Sequence, residues 1–338
     1  MIARSGSATL VDVARVAGVS LKTASRVLND SPELRPATAA HVREAMARLG
    51  YEPNVLARGL KAKRSEAIAM IAPNFADPLA ATALQAVQDV AREHGYSVIL
   101  ASTGGDVEVE KSELQIMVRR QVDGVILVAA DSEKSDVKSL MTRKVPIAVF
   151  DEPLRDQEVD TITVTNCEAA REATDHLLAH GYRRILVVGA RPFLFTCAER
   201  VAGYRSAMRS AGAEPIELLV EHEKDLTPEA LSAFVSGPNR VEAIFLVNWV
   251  CTMRVLRGLN ALKRRIPKDV ALVSFDDFEL ADMIPPGLTV VRQPSHELGH
   301  RAATTLFERI EDVSDHPPRK IVLNTEFVVR GSCGCKPK

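Results

Sequence analysis

The apolar positions near the start of the chain recur every three or four residues, which is the spacing of one helical face. In "TLVDVARVAGVS" this apolar stripe consists of Leu10, Val13, Ala14 and Ala17. Thr9 is placed to cap the helix with Asp12 returning the bond, and Gly18 is placed to end it by turning the chain. Ser20 then caps a second helix that reaches about Asn29. The spacing therefore predicts a helix–turn–helix.

A third helix is predicted from Pro36, a residue suited to the first helical turn, to Leu49. Gly50 and Pro53 follow and end the helical pattern. The apolar positions that we expect to pack onto the first two helices are Ala40, Val42, Ala45, Met46 and Leu49. Residues 1–53 are thus predicted to form a small all-α helix–turn–helix domain.

In the rest of the chain, short apolar runs alternate with amphipathic segments of helix length. The runs are "AIAMIA", "YSVILAS", "DGVILVAA" and "PIAVFD", and the pattern restarts with "RRILVVGA", "IELLVE", "EAIFLV" and "VALVSFDD". Apolar strands separated by helices are typical of parallel sheets that are covered on both faces. The repeat predicts a domain over 66–338 with two doubly wound α/β subdomains. The first spans about 66–163 and 294–322, and the second spans about 164–293 and 323–338.

The net charge of −1 conceals an uneven distribution of charge along the chain. Residues 1–64 hold 11 Lys and Arg against 5 Asp and Glu, whereas the remainder holds 32 against 39. A basic segment attached to an acidic body indicates a nucleic-acid-binding module joined to a domain with a different task. In the second helix Lys22 and Arg26 stand four residues apart, so they share one face.

The second helix of a helix–turn–helix enters the major groove of DNA. There arginine bonds guanine, apolar groups meet thymine methyl groups, and hydroxyl and amide side chains reach phosphate oxygens. The DNA contacts predicted in this domain are Thr9, Leu21, Lys22, Thr23, Ser25, Arg26 and Asn29. One reading helix makes few contacts, so we expect a homodimer on a pseudo-palindromic operator.

Two stretches, "TLVDVARVAGVSLKTASRVLN" and "REAMARLGYEPNVLARGLKAKRS", closely resemble the lactose/galactose repressor family over residues 9–64. The likeness continues more loosely over almost the whole chain. It implies a periplasmic-binding-protein-like body and a hinge helix within 54–65 that orders on DNA. Asn54, Ala57 and Leu60 match DNA-contacting hinge positions of the family, and Leu60 matches the wedge inserted into the minor groove. The implied function is transcriptional repression controlled by a small molecule.

Ligands of parallel sheets bind beyond the carboxyl ends of the strands, and two facing subdomains turn that region into a cleft. The candidate residues that follow the apolar runs are Asp77, Asp151, Asn166, Arg191, Thr196, Asn248, Trp249 and Asp276. Their mixture of carboxylates, amides and a ring for stacking suits a polyhydroxylated ligand.

The family resemblance assigns roles to some of these residues. "ERVAGYRSAM" places Arg200 at the position of the effector-binding arginine, and "SFDD" makes Asp276 a hydroxyl acceptor. Further pocket positions of the family are matched by Asn166, Thr196, Asn248 and Gln293. Asp151 and Glu152 stand where the family has Asp-Arg. The implied effector is a sugar or a sugar acid, and Arg191 with Arg200 is a candidate pair for holding a carboxylate.

The sequence contains no G-x-S-x-G, P-loop or G-x-G-x-x-G motif, so we predict a protein that is not an enzyme and needs no cofactor. Two histidine pairs have a four-residue spacing, His176 with His180 and His296 with His300, and isolated helical pairs of this kind are usually surface or core residues. The tail "CGC" offers Cys333 and Cys335, only two ligands where zinc usually takes four. No metal site is therefore predicted.

A solute-binding protein is the alternative interpretation, since it would share the two-lobed body. It would need an export signal, but charged residues such as Arg4 and Arg15 interrupt the first thirty positions, and it would not use a basic module. Five cysteines without framework spacing fit a reducing compartment, and no apolar run approaches the ~20 residues of a membrane span. We therefore expect a cytoplasmic repressor. The sequence leaves open whether the effector induces or corepresses, and whether the protein is a dimer or a tetramer.

Overall fold

The structure is a computed structural model, and it describes residues 8–28, 34–51, 64–312 and 316–335. The chain divides into two compact units, one ending at Ser65 and the other beginning at Glu66. Each unit has its own hydrophobic core. None of the helices in the described ranges has the length and apolar content of a transmembrane span.

The first unit contains the helices α1 (Leu10–Val16), α2 (Leu21–Leu28) and α3 (Pro36–Leu49). The predicted capping box of α1 is confirmed, because Thr9 Oγ1 accepts from the Asp12 amide at 3.3 Å and Asp12 Oδ2 accepts from the Thr9 amide at 3.1 Å. Gly18 and Gly50 have φ of +63° and +58°, the left-handed conformation that ends α1 and α3.

One fully buried residue from each helix forms the centre of this small core: Val13, Ala24 and Val42. The prediction that Ala40 packs onto the other helices is wrong, because Ala40 is exposed and Ala39 packs against the core instead. Ala39 precedes Val42 by three residues and so lies on the same helical face.

The second unit is built from twelve strands and eight α-helices within the described residues. Its strands are β1 (Ala67–Ala72), β2 (Ser97–Ser102), β3 (Gly124–Leu127), β4 (Ile147–Phe150), β5 (Asp160–Val164), β6 (Ile185–Ala190), β7 (Ile216–Val220), β8 (Ala243–Leu246), β9 (Ala271–Phe275), β10 (Thr289–Arg292), β11 (Lys320–Leu323) and β12 (Glu326–Val328). Its helices are α4 (Pro78–Glu93), α5 (Val107–Arg119), α6 (Lys138–Thr142), α7 (Asn166–Ala179), α8 (Phe195–Ser210), α9 (Pro228–Val235), α10 (Trp249–Ala261) and α11 (Ser295–Glu311), with a 3-10 turn at Glu223–Asp225.

The strands form two six-stranded sheets, which confirms the predicted pair of α/β subdomains. The first sheet has the order β11-β5-β4-β3-β1-β2 and is parallel throughout. The second has the order β12-β10-β9-β8-β6-β7, in which β12 is antiparallel to β10. The chain passes from one lobe to the other after β5, after β10 and after β11. Strands such as β4 and β9 are buried along their whole length, as expected for a sheet covered by helices on both faces.

Helix α11 returns late in the chain to the first sheet, where Leu298 and Leu306 share a core with Ile68 of β1. The close approach of α11 to α4 requires Gly299, because a Cβ atom there would lie 2.2 Å from the carbonyl oxygen of Ala83. This packing joins the first chain segment of the lobe, which contains β1 and α4, to the later segment that contains α11.

Candidate functional site

A cavity of about 540 Å³ lies at the carboxyl ends of the strands of both sheets. The first lobe lines it with residues that follow β1 to β4, and the second lobe with residues that follow β6 to β10. The predicted effector-binding residues that the structure brings together on its wall are Asp77, Asp151, Thr196, Arg200, Asn248, Asp276 and Gln293. Arg191, the candidate carboxylate-binding residue, also lines it.

Asn166 and Trp249, which are also predicted effector contacts, are not among the residues that line the cavity. Asn166 is buried at the start of α7, and its Oδ1 accepts a hydrogen bond from Arg200 Nε at 2.8 Å. The backbone amide of Trp249 donates to Asp276 Oδ2 at 2.9 Å. Asn166 therefore positions the guanidinium of Arg200, whereas Trp249 contacts Asp276 through its backbone alone.

Arg200 is the central cation of the cavity, and it is only 3% exposed. Besides the bond to Asn166, its Nη1 donates to the carbonyl of Val247 at 2.8 Å. The guanidinium stacks over the ring of Phe275 with 3.7 Å between its carbon and the ring centroid, and its Nη2 lies 4.0 Å from Asp151 Oδ1. These contacts hold a planar, permanently charged donor in one orientation.

Two buried acceptor atoms on the wall have no hydrogen-bond donor among the described residues: Asp151 Oδ1 and Gln293 Oε1. The amide of Gln293 is fixed because its Nε2 donates to Asp276 Oδ1 at 2.6 Å. Buried polar atoms are rarely left without a partner, and an ionised carboxylate oxygen or an amide oxygen can only accept. The two atoms are therefore well suited to receive hydrogen bonds from the hydroxyl groups of a bound molecule.

The backbone at two of these acidic residues has the left-handed conformation. Asp151 has φ of +64° and Asp276 has φ of +76°, and they follow β4 and β9 directly. Positive φ is uncommon outside glycine and is concentrated at binding and active sites. Both carboxylates line the cavity at the carboxyl ends of the strands.

Burial raises the pKa of Asp151 to about 7 and the pKa of Asp77 to about 6. Arg200 lowers both values, whereas repulsion from Asp276 raises both, and Glu152 adds to the repulsion at Asp151. The charged residues of the wall are the carboxylates Asp77, Asp151, Glu152, Glu223 and Asp276 and the guanidiniums Arg191, Arg200 and Arg254. The cavity thus has more acidic than basic groups.

Glu152 is a candidate that the sequence did not reveal, and it connects the two lobes. Its Oε1 accepts from the Phe195 amide at 2.5 Å, and its Oε2 accepts from the Thr196 amide at 3.2 Å and from the Thr196 hydroxyl at 3.0 Å. A carboxylate of the first lobe thereby caps the N-terminus of α8 in the second lobe. Arg191, which donates to the carbonyl of Gly105, makes a second bond between the lobes.

We expect Glu152→Ala to lower the free energy of unfolding by about 1–3 kcal/mol, because two amides at the start of α8 lose their acceptor. Urea denaturation followed by circular dichroism measures the change. Glu158→Ala removes an exposed carboxylate from the same loop and is the matched control, with an expected change below about 0.5 kcal/mol. Equal losses in the two variants would contradict the capping role of Glu152.

One further pattern invites a metal interpretation. The stretch "HELGH" at 296–300 has the H-E-x-x-H spacing of zinc proteases, which place two histidines of one helix on a metal. In the structure Glu297 forms an ion pair with Arg301 at 2.7 Å, and both histidines are exposed on α11. Within the described residues they belong to no group of three or more potential ligands. The geometry therefore gives no support to a protease centre here.

In the helical unit, the predicted DNA-contacting residues lie on and beside α2. Leu21, Lys22 and Arg26 are exposed, whereas Thr23 and Ser25 are partly buried. The core side of α2 is formed by other residues, Ala24 and Val27. The helix thus presents its basic side chains away from its own core, as a DNA-reading helix requires.

Two predicted contacts also have structural partners. Thr9 lies in the capping box of α1, and Thr23 Oγ1 is 2.9 Å from Ser20 Oγ. The remaining predicted DNA contacts fall outside the described residues: Asn29, Asn54, Ala57 and Leu60.

A helix–turn–helix unit with a basic outer surface, joined in one chain to two facing α/β lobes around a polar cavity, defines a class of DNA-binding regulator. Comparison with known proteins makes the assignment specific. The sequence profile described as "Bacterial regulatory proteins, lacI family" matches residues 9–54, and that of a "Periplasmic binding protein-like domain" matches residues 174–333.

Transcriptional regulators match this chain over nearly their whole length. The transcriptional regulator KdgR of Bacillus subtilis is 29% identical over 97% of this chain and 98% of its own. The regulator PtxS of Pseudomonas putida is 32% identical over 96% of this chain and 95% of its own. Among solved structures, a complex of the transcriptional regulator CelR with cellobiose has a TM-score of 0.70 and 29% identity, covering 96% of this chain and 99% of that chain. The chain therefore belongs to the LacI family of bacterial transcriptional regulators.

Proposed function

We propose that this protein is a sequence-specific repressor whose affinity for its operator is set by a sugar bound in the cavity between the two lobes. The observation that carries the proposal is the pair of buried acceptors, Asp151 Oδ1 and Gln293 Oε1, beside the fixed guanidinium of Arg200. A wall that offers acceptors and a planar donor fits a ligand that carries several hydroxyl groups. Such a function requires neither catalysis nor a cofactor.

The regulator acts as a homodimer in this proposal. Each chain contributes one reading helix, α2, and two such helices related by two-fold symmetry match the two half-sites of a pseudo-palindrome. Lys22 and Arg26 contact base edges in the major groove, and the hydroxyl side chains nearby contact phosphates. The exposure of both cations on α2 supports this arrangement.

The charges of the cavity favour a neutral sugar over a sugar acid. Its wall carries five carboxylates against three guanidiniums, so an anionic ligand meets a net negative site. Arg191 donates to the carbonyl of Gly105 and Arg200 donates to Asn166 and Val247, which uses part of the bonding capacity that a carboxylate ligand needs. The cellobiose complex of the relative CelR also supports a neutral sugar.

A thermal-shift screen of matched pairs, each an aldose and its uronic acid, tests the effector class. A ligand that binds only the folded state stabilises it, so a true effector raises the melting temperature in a concentration-dependent way. We expect shifts with neutral mono- or disaccharides, confirmed by calorimetry as binding to one site per chain. Shifts confined to the uronic acids would contradict the proposed effector class.

Binding of a neutral sugar is expected to strengthen as pH rises from 6 to 8. Asp151 accepts hydroxyl hydrogens best when ionised, and its pKa of about 7 leaves only a small ionised fraction at pH 6. The dissociation constant should therefore fall by about tenfold across this range and level off above it. Calorimetry at several pH values measures the change, and Asp151→Asn should flatten the profile. A profile that is flat in the unmodified protein would contradict the role of Asp151.

A further inference from the structure

Two pairs of side chains that are far apart in sequence meet at the far end of α7 from the cavity. His176 lies on α7, and His180 directly follows the helix, one turn further on. Cys333 and Cys335 lie in the last described residues of the chain. One ligand atom from each of the four side chains lies within 4.8 Å of all the others. Neither pair alone has enough ligands for zinc, but the fold combines them into a set of two thiols and two imidazoles.

The cysteine-bearing loop is held in place by contacts that do not depend on a metal. Arg330 Nη2 lies 2.9 Å from Asp277 Oδ2, and Ser332 Oγ accepts from the Thr289 amide at 2.7 Å while donating to the carbonyl of Leu272 at 2.8 Å. These bonds fix the segment before Cys333 against the second sheet, so its thiol is buried at a defined position.

A glycine then returns the chain toward the histidines. Gly334 has φ of +97°, and a Cβ atom there would lie 2.8 Å from the hydroxyl oxygen of Tyr182. Only glycine fits this conformation and this space. The turn brings Cys335 Sγ to 3.1 Å from His180 Nε2 and to 3.8 Å from His176 Nε2.

These distances are close to those of a zinc site. With Zn–S of about 2.3 Å and Zn–N of about 2.0–2.1 Å, tetrahedral geometry separates a sulfur from a nitrogen ligand by about 3.6 Å. The Thr289 hydroxyl donates to Cys333 Sγ at 3.2 Å, which is the kind of outer hydrogen bond that steadies a thiolate ligand. Small side-chain movements are therefore sufficient to close four ligands around one ion.

We propose that His176, His180, Cys333 and Cys335 bind one structural Zn²⁺. Four protein ligands complete a tetrahedral shell without an open position, so the ion stabilises the fold and performs no catalysis. The ion ties the end of the chain to the helix whose first residue, Asn166, supports Arg200 in the cavity. It thereby rigidifies the second lobe.

The test measures zinc in the untagged full-length protein, because a histidine tag would itself bind the ion. The protein is expressed with added zinc, purified with a phosphine reductant that keeps thiols reduced, and dialysed against metal-free buffer before elemental analysis. His180→Ala and Cys335→Ser remove one ligand each from the more accessible side of the site. The double variant His296→Ala/His300→Ala is the matched control, since it deletes the other histidine pair of the same spacing.

We expect about one zinc per chain in the unmodified protein and in the control, and loss of most of it in each ligand variant. Cobalt substitution should give the intense visible bands of a tetrahedral ion together with thiolate charge-transfer absorption. A strong chelator should lower the melting temperature of the unmodified protein and leave that of Cys335→Ser unchanged.

Three outcomes would overturn the site: a zinc-free unmodified protein, zinc that persists in both ligand variants, or zinc that disappears with the control pair. A Cys333–Cys335 disulfide found by mass spectrometry in the reduced preparation would also overturn it. Sugar and operator binding are separate measurements, so this proposal and the proposed function fail independently.

Discussion

Arg200→Ala is expected to abolish effector binding and to lower the free energy of unfolding by about 3–5 kcal/mol, which is the typical cost of removing one partner from a buried charge cluster. The variant loses the bonds to Asn166 and Val247 and the stacking on Phe275. It also leaves the carboxylate of Asp151 without its nearest cation. Chemical denaturation measures the stability, and calorimetry with the sugar identified by the thermal-shift screen measures binding.

The loss of stability should depend on pH. Burial raises the pKa of Asp151 to about 7, so the folded state holds this carboxyl in its neutral form more strongly than the unfolded state does. The resulting contribution to the free energy of unfolding is present at low pH and is lost as pH rises through about 7. Without Arg200 the ionised form is still less favourable, and the loss at pH 8 should exceed the loss at pH 5. A difference between the variant and the unmodified protein that is the same at both pH values would contradict the charge argument.

Arg205→Ala is the matched control on the same helix. Arg205 is 40% exposed and pairs with Glu217 at 2.6 Å, and an ion pair of that kind is worth about 1 kcal/mol or less. We expect it to bind the sugar like the unmodified protein. If both arginine variants lost binding equally, the effect would come from damage to α8 in general and the role of Arg200 would be wrong.

Arg26→Ala is expected to relax sequence preference at one base pair of the operator by about 1–3 kcal/mol. Arg26 is exposed on α2, where a guanidinium bonds guanine through two hydrogen bonds in the major groove. The measurement compares affinities for the operator, for a set of single-base variants and for random DNA at one fixed salt concentration. The operator itself comes from selection on a random library.

Arg48→Ala, an exposed arginine on α3, is the control for charge alone. We expect Arg48→Ala to weaken binding to every duplex by a similar factor and to leave the ranking of sequences intact, because loss of a positive charge near the phosphates acts on all sequences alike. If Arg26→Ala weakened binding to operator and to random DNA equally, Arg26 would contact phosphates, and the prediction that it contacts a base would be wrong.

The fold could be predicted where the sequence alone determines burial. Strands such as β1 and β9 are continuous apolar runs because helices cover both of their faces, and a run of this kind is visible without a structure. Strands β5, β10, β11 and β12 were not predicted. Buried and less buried positions alternate in β5, β11 has no fully buried position, and β10 and β12 have only four and three residues. Capping of α1 was predictable because Thr9 and Asp12 are three residues apart and the interaction is local.

The residues of the candidate site could be predicted where they directly follow a strand that is visible in the sequence. Asp151 and Asp276 follow apolar runs directly, so their place at the carboxyl ends of the strands could be inferred. The role of Glu152 depends on the amides of Phe195 and Thr196, more than forty residues later and in the other lobe. Only the folded chain brings these groups together.

The cluster of histidines and cysteines is likewise brought together only in the folded chain. His180 and Cys335 are 155 residues apart, and each pair alone falls short of a metal site. The pattern "HELGH" has the spacing of a metal motif, but its histidines belong to no larger ligand group in the described part of the chain. Local spacing therefore does not distinguish the two histidine pairs, and only the packing of the last described residues on α7 gives His176 and His180 two further ligands.

The most direct test of the central claim is the operator affinity of the full-length protein with and without a saturating sugar that calorimetry shows to bind. A ligand that favours one arrangement of the lobes must shift the affinity of the other site by its coupling free energy, about 1–3 kcal/mol. We expect the operator dissociation constant to change by about 5- to 150-fold, and the affinity for the sugar to change by the same factor when DNA is bound. An operator dissociation constant that is the same with and without the bound sugar would contradict it.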